Sequence, residues 1–149
     1  TTLIEPCRHL EEIWYKKIPL SKAMSMRAIK FDGNTLNCSA SLEPNTNVHG
    51  TAFAGSLYAI QALAGWSMVY LQLRLLGASA SIVIAKGSID YVKPVAEEIL
   101  VECKFPDKTT FARDLVSNKK ARIELSTSVT LKNNDVAGSF SGIYAIKKT

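Results

Sequence analysis

The sequence predicts an α+β domain in which a mostly antiparallel sheet wraps one long, buried helix. Three observations carry this. The thirty residues from Pro44 to Leu73 hold no Asp, Glu, Lys or Arg. Their most apolar part is hydrophobic nearly all round a helix, so it needs cover on more than one side. Four segments after this run alternate or cluster apolar residues with the period of strands. Ahead of it, Asp32-Gly33-Asn34 joins two strand-like segments into a hairpin. Helix segregated to one side of an antiparallel sheet is the α+β pattern.

The elements follow in order. Arg8 to Lys17 sets Leu10, Ile13 and Trp14 on one side and Glu11, Glu12, Lys16 and Lys17 elsewhere, an amphipathic helix stopped by Pro19. Met26–Phe31 and Thr35–Leu42 are the hairpin strands. Glu43 to Gly50 is a loop of turn formers. Thr51 or Phe53 opens the long helix, which ends near Gly77. In it, Gly55, Ala59, Ala62 and Gly65 form a small-residue stripe that lets a helix sit close against a sheet. Leu57, Ile60, Met68 and Leu71 form a larger one. Ser81–Val92, Glu98–Phe105, Arg122–Leu131 and Val136–Lys147 are strands, and Phe105 to Asn118 reads as irregular and polar. A sheet curved around a single such helix is the hotdog arrangement.

The charge-free run is not a membrane span. Gln61 and Gln72 interrupt it, alanine and glycine dilute it, and Arg74 stands without a flanking basic cluster. The remaining totals narrow the class. A chain of 149 residues suits one domain over residues 1–149, and 47% apolar with 21% charged residues is globular. Cys7, Cys38 and Cys103 are odd in number and far apart, neither a disulfide framework nor a zinc site, and a cytoplasmic setting is expected. The start, Thr1 to Pro6, lacks the basic and apolar regions of a signal peptide, and the missing Met is what processing or excision from a longer chain would leave. A net charge of +5 without an aromatic-basic motif argues against nucleic acid.

Several stretches together resemble one family. They are Ile18-Pro-Leu-Ser-Lys-Ala-Met24, Leu42-Glu-Pro-Asn-Thr-Asn47, Gly50-Thr-Ala-Phe-Ala-Gly-Ser-Leu-Tyr58, Leu63-Ala-Gly-Trp66 and Ile89-Asp-Tyr-Val-Lys-Pro-Val95. The chain is similar, from about Leu10 to Ile146, to a thioesterase family of hotdog fold. That family forms the C-terminal domain of some bacterial proteins with a GNAT acetyltransferase domain in front. The resemblance implies a homodimer or larger oligomer. It also implies acyl thioesters of coenzyme A or of an acyl carrier protein as ligands, with coenzyme A or phosphopantetheine entering as part of the substrate and no separate cofactor or metal.

Hydrolysing a thioester needs a group that polarises the carbonyl, a group that places water, and room for the acyl chain. The free amides at the start of the long helix suit the first, at Ala54-Gly55-Ser56. Gly55 equally suits tight packing. Asn47 and His49, in the loop feeding that helix, suit the second, although asparagines also build turns and a loop histidine is often simply solvated. The expected catalytic residues are therefore Asn47, His49, Gly55 and Ser56. The expected substrate-binding residues are Asn45, Thr51, Phe53, Ala54, Tyr58 and Asp90.

The chain departs from better-known hotdog thioesterases in one respect. Their helix carboxylate falls here on Ala62, and the acid of the hotdog dehydratases falls on Leu63. Asp90, Asp114 or a partner subunit could supply one. Otherwise the domain decarboxylates or condenses carrier-bound acyl groups, or binds acyl thioesters without turnover. Lys86, Lys93, Arg113, Lys119 and Lys120 form a basic rim suited to a phosphate-bearing or acidic carrier, or an ordinary solvated surface.

Overall fold

The computed structural model describes residues 3–149. Thr1 and Thr2, part of the start read above, lie outside the described residues. In chain order the elements are α1 (Ile4–Lys17), α2 (Pro19–Ala23), β1 (Met26–Phe31), β2 (Thr35–Ala40), a 3-10 turn (Glu43–Asn45), α3 (Ala54–Leu75), β3 (Ala80–Tyr91), β4 (Ile99–Lys104), α4 (Lys108–Asn118), β5 (Lys120–Thr130) and β6 (Val136–Lys148). The six strands form one antiparallel sheet in the order β1-β2-β4-β5-β6-β3. The sheet curves around α3, the expected hotdog arrangement.

Alternation puts Leu36, Cys38, Ile99, Val101, Cys103, Leu125 and Val129 on the inner face, where all are buried. The α3 side chains Leu57, Ile60, Met68 and Leu71 meet them and are buried too. Replacing one large member of such a core with alanine costs about 2–5 kcal/mol. The two glutamines that speak against a membrane span are buried and satisfied. Gln72 Nε2 donates to the Gly33 carbonyl at 2.9 Å, tying α3 to the β1–β2 turn, and Thr127 Oγ1 donates to Gln61 Oε1 at 3.2 Å. Among the described residues no helix is long and apolar enough to cross a membrane.

The small-residue stripe of α3 does not face the sheet as a unit. Gly65 does: a Cβ there would run into the Tyr144 hydroxyl, which donates to the Ala62 carbonyl at 2.7 Å. Gly55 is exposed, and Ala59 and Ala62 are half-buried together with Leu63, Trp66 and Tyr70. One apolar face of the central helix is thus only half covered. The lower part of that face carries a stack in which Trp66 lies on Tyr70 at 5.3 Å and His9 Nε2 meets the Tyr70 hydroxyl at 2.8 Å.

One expectation is corrected and one is extended. Residues 105–118 are not irregular, because 108–118 form α4. Asp107 caps it by accepting from the Thr110 amide at 3.0 Å, Phe111 and Leu115 bury one turn apart, and Lys119 ends it in the left-handed region at φ 55°. A stripe of two residues is too short to register as periodicity. Pro19 does stop α1, but it then occupies the first turn of α2, where its fixed φ and missing N–H suit a helix start.

The described ends of the chain lie at opposite edges of the sheet. The Leu3 amide donates to Phe31 at the end of β1, at 2.7 Å, while the Thr149 amide donates to Ser79 just before β3, at 3.0 Å.

Candidate active site

The loop before α3 is held by the side chain of Asn47. Its Oδ1 accepts from the amides of His49 (2.8 Å) and Thr51 (3.1 Å), and its Nδ2 donates to Thr51 Oγ1 (2.9 Å). The loop is also zipped by its backbone, with a bridge between Thr46 and Ala52 and the Ala52 amide donating to the Val95 carbonyl at 2.8 Å. Asn45 anchors the far side. It is 1% exposed, its Nδ2 donates to the Met24 and Ser41 carbonyls (2.8 and 2.7 Å), and its own carbonyl accepts from the Phe53 amide at 2.7 Å. Its Oδ1 has no partner among the described residues.

These bonds fix where α3 begins. Phe53 is the capping residue, yet it offers no side-chain acceptor. The amides of Ala54, Gly55 and Ser56 therefore have no partner among the described residues, and they sit at the positive end of a 22-residue helix. Tyr91, the last residue of β3, donates its hydroxyl to the Ala54 carbonyl at 2.9 Å and pins the helix start to the sheet edge.

A cleft of about 320 Å³ opens here. One wall is Asn47, Thr51, Ala54 and Leu57; the other is the stretch from Tyr91 to Val95. Lys93 stands on that second wall with Nζ 2.6 Å from Asp135 Oδ2, and this bond holds the Asp135 carboxyl below its ordinary range. No Asp or Glu lines the cleft.

The expected residues divide. Asn47, Thr51 and Ala54 line the cleft, and Gly55 and Ser56 stand beside it on the first turn of α3, with the ring of the capping Phe53 lying over Gly55. His49 is exposed on the same loop and is not among the residues lining the cleft. Tyr58 lies further along the half-covered face, edge-on to Phe140 at 5.0 Å. Asn45 points into the protein. Asp90 is opposite Ser139 in the strand register and lines a different cleft, with serines of β5 and β6, on the outer face of the sheet. Asp114, on α4, is also elsewhere. Ala52, Leu57 and the Tyr91–Val95 stretch line the cleft outside the expected site residues, and Tyr91 and Lys93 are the polar ones among them. The pointer to them was strand parity: if Asp90 faces outward, Tyr91 faces α3.

A helix start with free amides and a polar loop beside it is an arrangement for stabilising an oxyanion. The family model described as "Putative thioesterase (yiiD_Cterm)" matches residues 7–148. The chain belongs to this thioesterase family. It is 34% identical to a protein from Shewanella oneidensis described as a "putative thioesterase", with 96% of this chain and 98% of that one covered and a TM-score of 0.89. It is 31% identical to a protein of unknown function from Chlorobaculum tepidum (96% and 94% covered, TM-score 0.90). A thioesterase from Haemophilus influenzae, 9% identical with 99% and 93% covered and a TM-score of 0.70, shares the fold. Family membership places the chain among the thioester hydrolases, acting on a small-molecule thioester.

Proposed function

We propose that the chain hydrolyses acyl thioesters of coenzyme A or of an acyl carrier protein, in the cleft between the Asn47 loop and the Tyr91–Val95 stretch. The free amides of Ala54, Gly55 and Ser56 carry this reading, because a developing oxyanion is the group such amides serve best. The thioester carbonyl points at them. Water placed by Asn47 and Thr51 attacks the carbonyl carbon and its proton passes to His49. The tetrahedral oxyanion collapses, the C–S bond breaks, and the proton goes to the leaving thiolate. The acyl chain lies along α3 past Tyr58. Coenzyme A or phosphopantetheine enters as part of the substrate.

The working unit in this reading is a homodimer. β3 is a twelve-residue edge strand with Val83 and Ile84 exposed, and an open strand of that length is a template for pairing with a second copy. The half-covered face of α3 lies next to that edge and would be closed by the same contact. Three buried thiols without disulfides fit a reducing, cytoplasmic compartment.

The cleft's lack of a carboxylate favours one second reading, an acyl-thioester binding module. A single experiment separates the two. A panel of acyl-CoA and acyl-carrier thioesters is incubated with the protein and free thiol is followed. Saturable release that drops about 10²-fold in Asn47→Ala, the scale of losing a group that orients the reaction, supports hydrolysis. Tight binding without thiol release rejects it in favour of the module. Chain-lengthened or decarboxylated product, read by mass, rejects it in favour of carrier chemistry other than hydrolysis.

A further inference from the structure

The outer face of the sheet carries a second cleft, of about 650 Å³, far from the first. It lies where β3 and β5 begin and β6 ends. β3 meets this cleft at Ser81 and Val83 and the first cleft at Tyr91, so the two are roughly 30 Å apart at the rise of a strand. The strand register explains its composition. Lys147 of β6 lies between Lys120 of β5 and Ser81 of β3, and in the next outward row Ala145 lies between Arg122 and Val83. Lys120, Arg122 and Lys147 therefore project from one face, with Val83 and Ala145 as an apolar floor, and Asp114 and Asn118 of α4 form a wall.

Two features make this more than a solvated surface. Lys120 and Lys147 are directly opposite each other in the β5–β6 ladder, a like-charge pairing that destabilises a sheet. Among the described residues none of Lys120, Arg122 and Lys147 has a salt-bridge partner, and the one carboxylate in the cleft, Asp114, is 3.8 Å from Arg113. An anion in the cleft would offset that repulsion. The concavity and the floor say what kind. Val83 is 59% exposed and, with Ala145, offers an apolar surface to a flat ring, while the arginine fork and two lysines take phosphate oxygens. The wall adds Asn118 and Asp114, whose amide and carboxylate are groups that pair with exocyclic amines or ribose hydroxyls. An acidic protein surface would not need the hollow.

We propose that this cleft binds a phosphorylated nucleotide. The chemistry has two sources: a free nucleotide, or the nucleotide end of a coenzyme A thioester held by a partner subunit. Only the second rests on the function proposed above.

Adenosine 3′,5′-bisphosphate, adenosine and coenzyme A are titrated calorimetrically into the full chain, into Arg122→Gln/Lys147→Gln, and into Lys16→Gln/Lys17→Gln, which removes the same charge from α1. The bisphosphate is expected to bind saturably and more than about ten-fold tighter than adenosine, and to weaken with salt. The cleft variant should lose about ten-fold in affinity and the α1 variant should not. No saturable binding, or equal loss in both variants, overturns the site. If the source is the thioester's own nucleotide, the cleft variant raises the KM for acyl-CoA with kcat unchanged. If it is a free nucleotide, that KM does not move while bisphosphate affinity still falls. Absence of hydrolysis would sink the proposed function and leave the binding result standing.

Discussion

Asn47 engages its Oδ1 and one Nδ2 hydrogen in the loop, so its contribution to the site is geometric as well as chemical. Gly65 shows the same economy in the core. Gly65→Ala would push a methyl into the Tyr144 hydroxyl, and we expect a loss of about 1–3 kcal/mol from overpacking. Denaturant unfolding followed by fluorescence of the buried Trp14 measures it, and an unchanged midpoint would contradict the close approach of helix and sheet. The cysteines offer a second test. Burial raises the thiols of Cys7 and Cys38 and pushes that of Cys103 up to about 12. A thiol reagent at mild pH should therefore find almost nothing in the native protein and all three after denaturation. Fast native labelling of Cys103 would show that the β4 core position is open. At this scale the sequence was legible where chemistry and chain direction coincide, as for Asn47, Thr51 and Ala54. Asp90 sits in the same motif as Tyr91, but parity turns it to the other face of the sheet, and no list of reactive residue types shows that.

Among the elements, α3 was readable from its long charge-free run, and most strands from apolar alternation or β-branched runs. The helix α4 was not, since only Phe111 and Leu115 bury and its start rests on a single cap. That cap makes a prediction about acid. Hydrogen bonds from the Thr110 hydroxyl and amide hold the folded-state pKa of Asp107 below its ordinary value. A depressed carboxylate stabilises the fold above the unfolded pKa, near 3.9, and this contribution is lost as pH falls through the lower folded value. Asp32 and Asp135 are shifted the same way by their own hydrogen bonds. The melting temperature should fall as pH drops below about 4, and Asp107→Asn should make the fall shallower. An identical acid limb in that variant would mean the cap carries no charge-linked stability. Phe111→Ala should cost about 3 kcal/mol and release α4 first, visible as local loss of amide protection over 108–118.

For the whole molecule, the central expectation is assembly. The chain is 16.3 kDa, and sedimentation at micromolar concentration should report about twice that mass, by the isologous pairing usual for homodimers. Leu63→Glu puts a charge on the half-covered face of α3 and should yield a folded monomer with reduced thioesterase turnover. A monomeric wild type with full activity would remove the dimer from the mechanism. A sequence can announce a helix that is apolar all round, but not which side its own sheet leaves uncovered; that depends on the curve of six strands. The placement of the chain ends has a practical corollary. Anything attached ahead of Leu3, whether a purification tag or another folded domain, departs from the β1 margin, a full sheet's width from β3. Anything attached after Thr149 departs beside the first residues of β3. Fusions at the front should leave assembly intact, whereas bulky fusions at the back should crowd it, so reporters belong at the front.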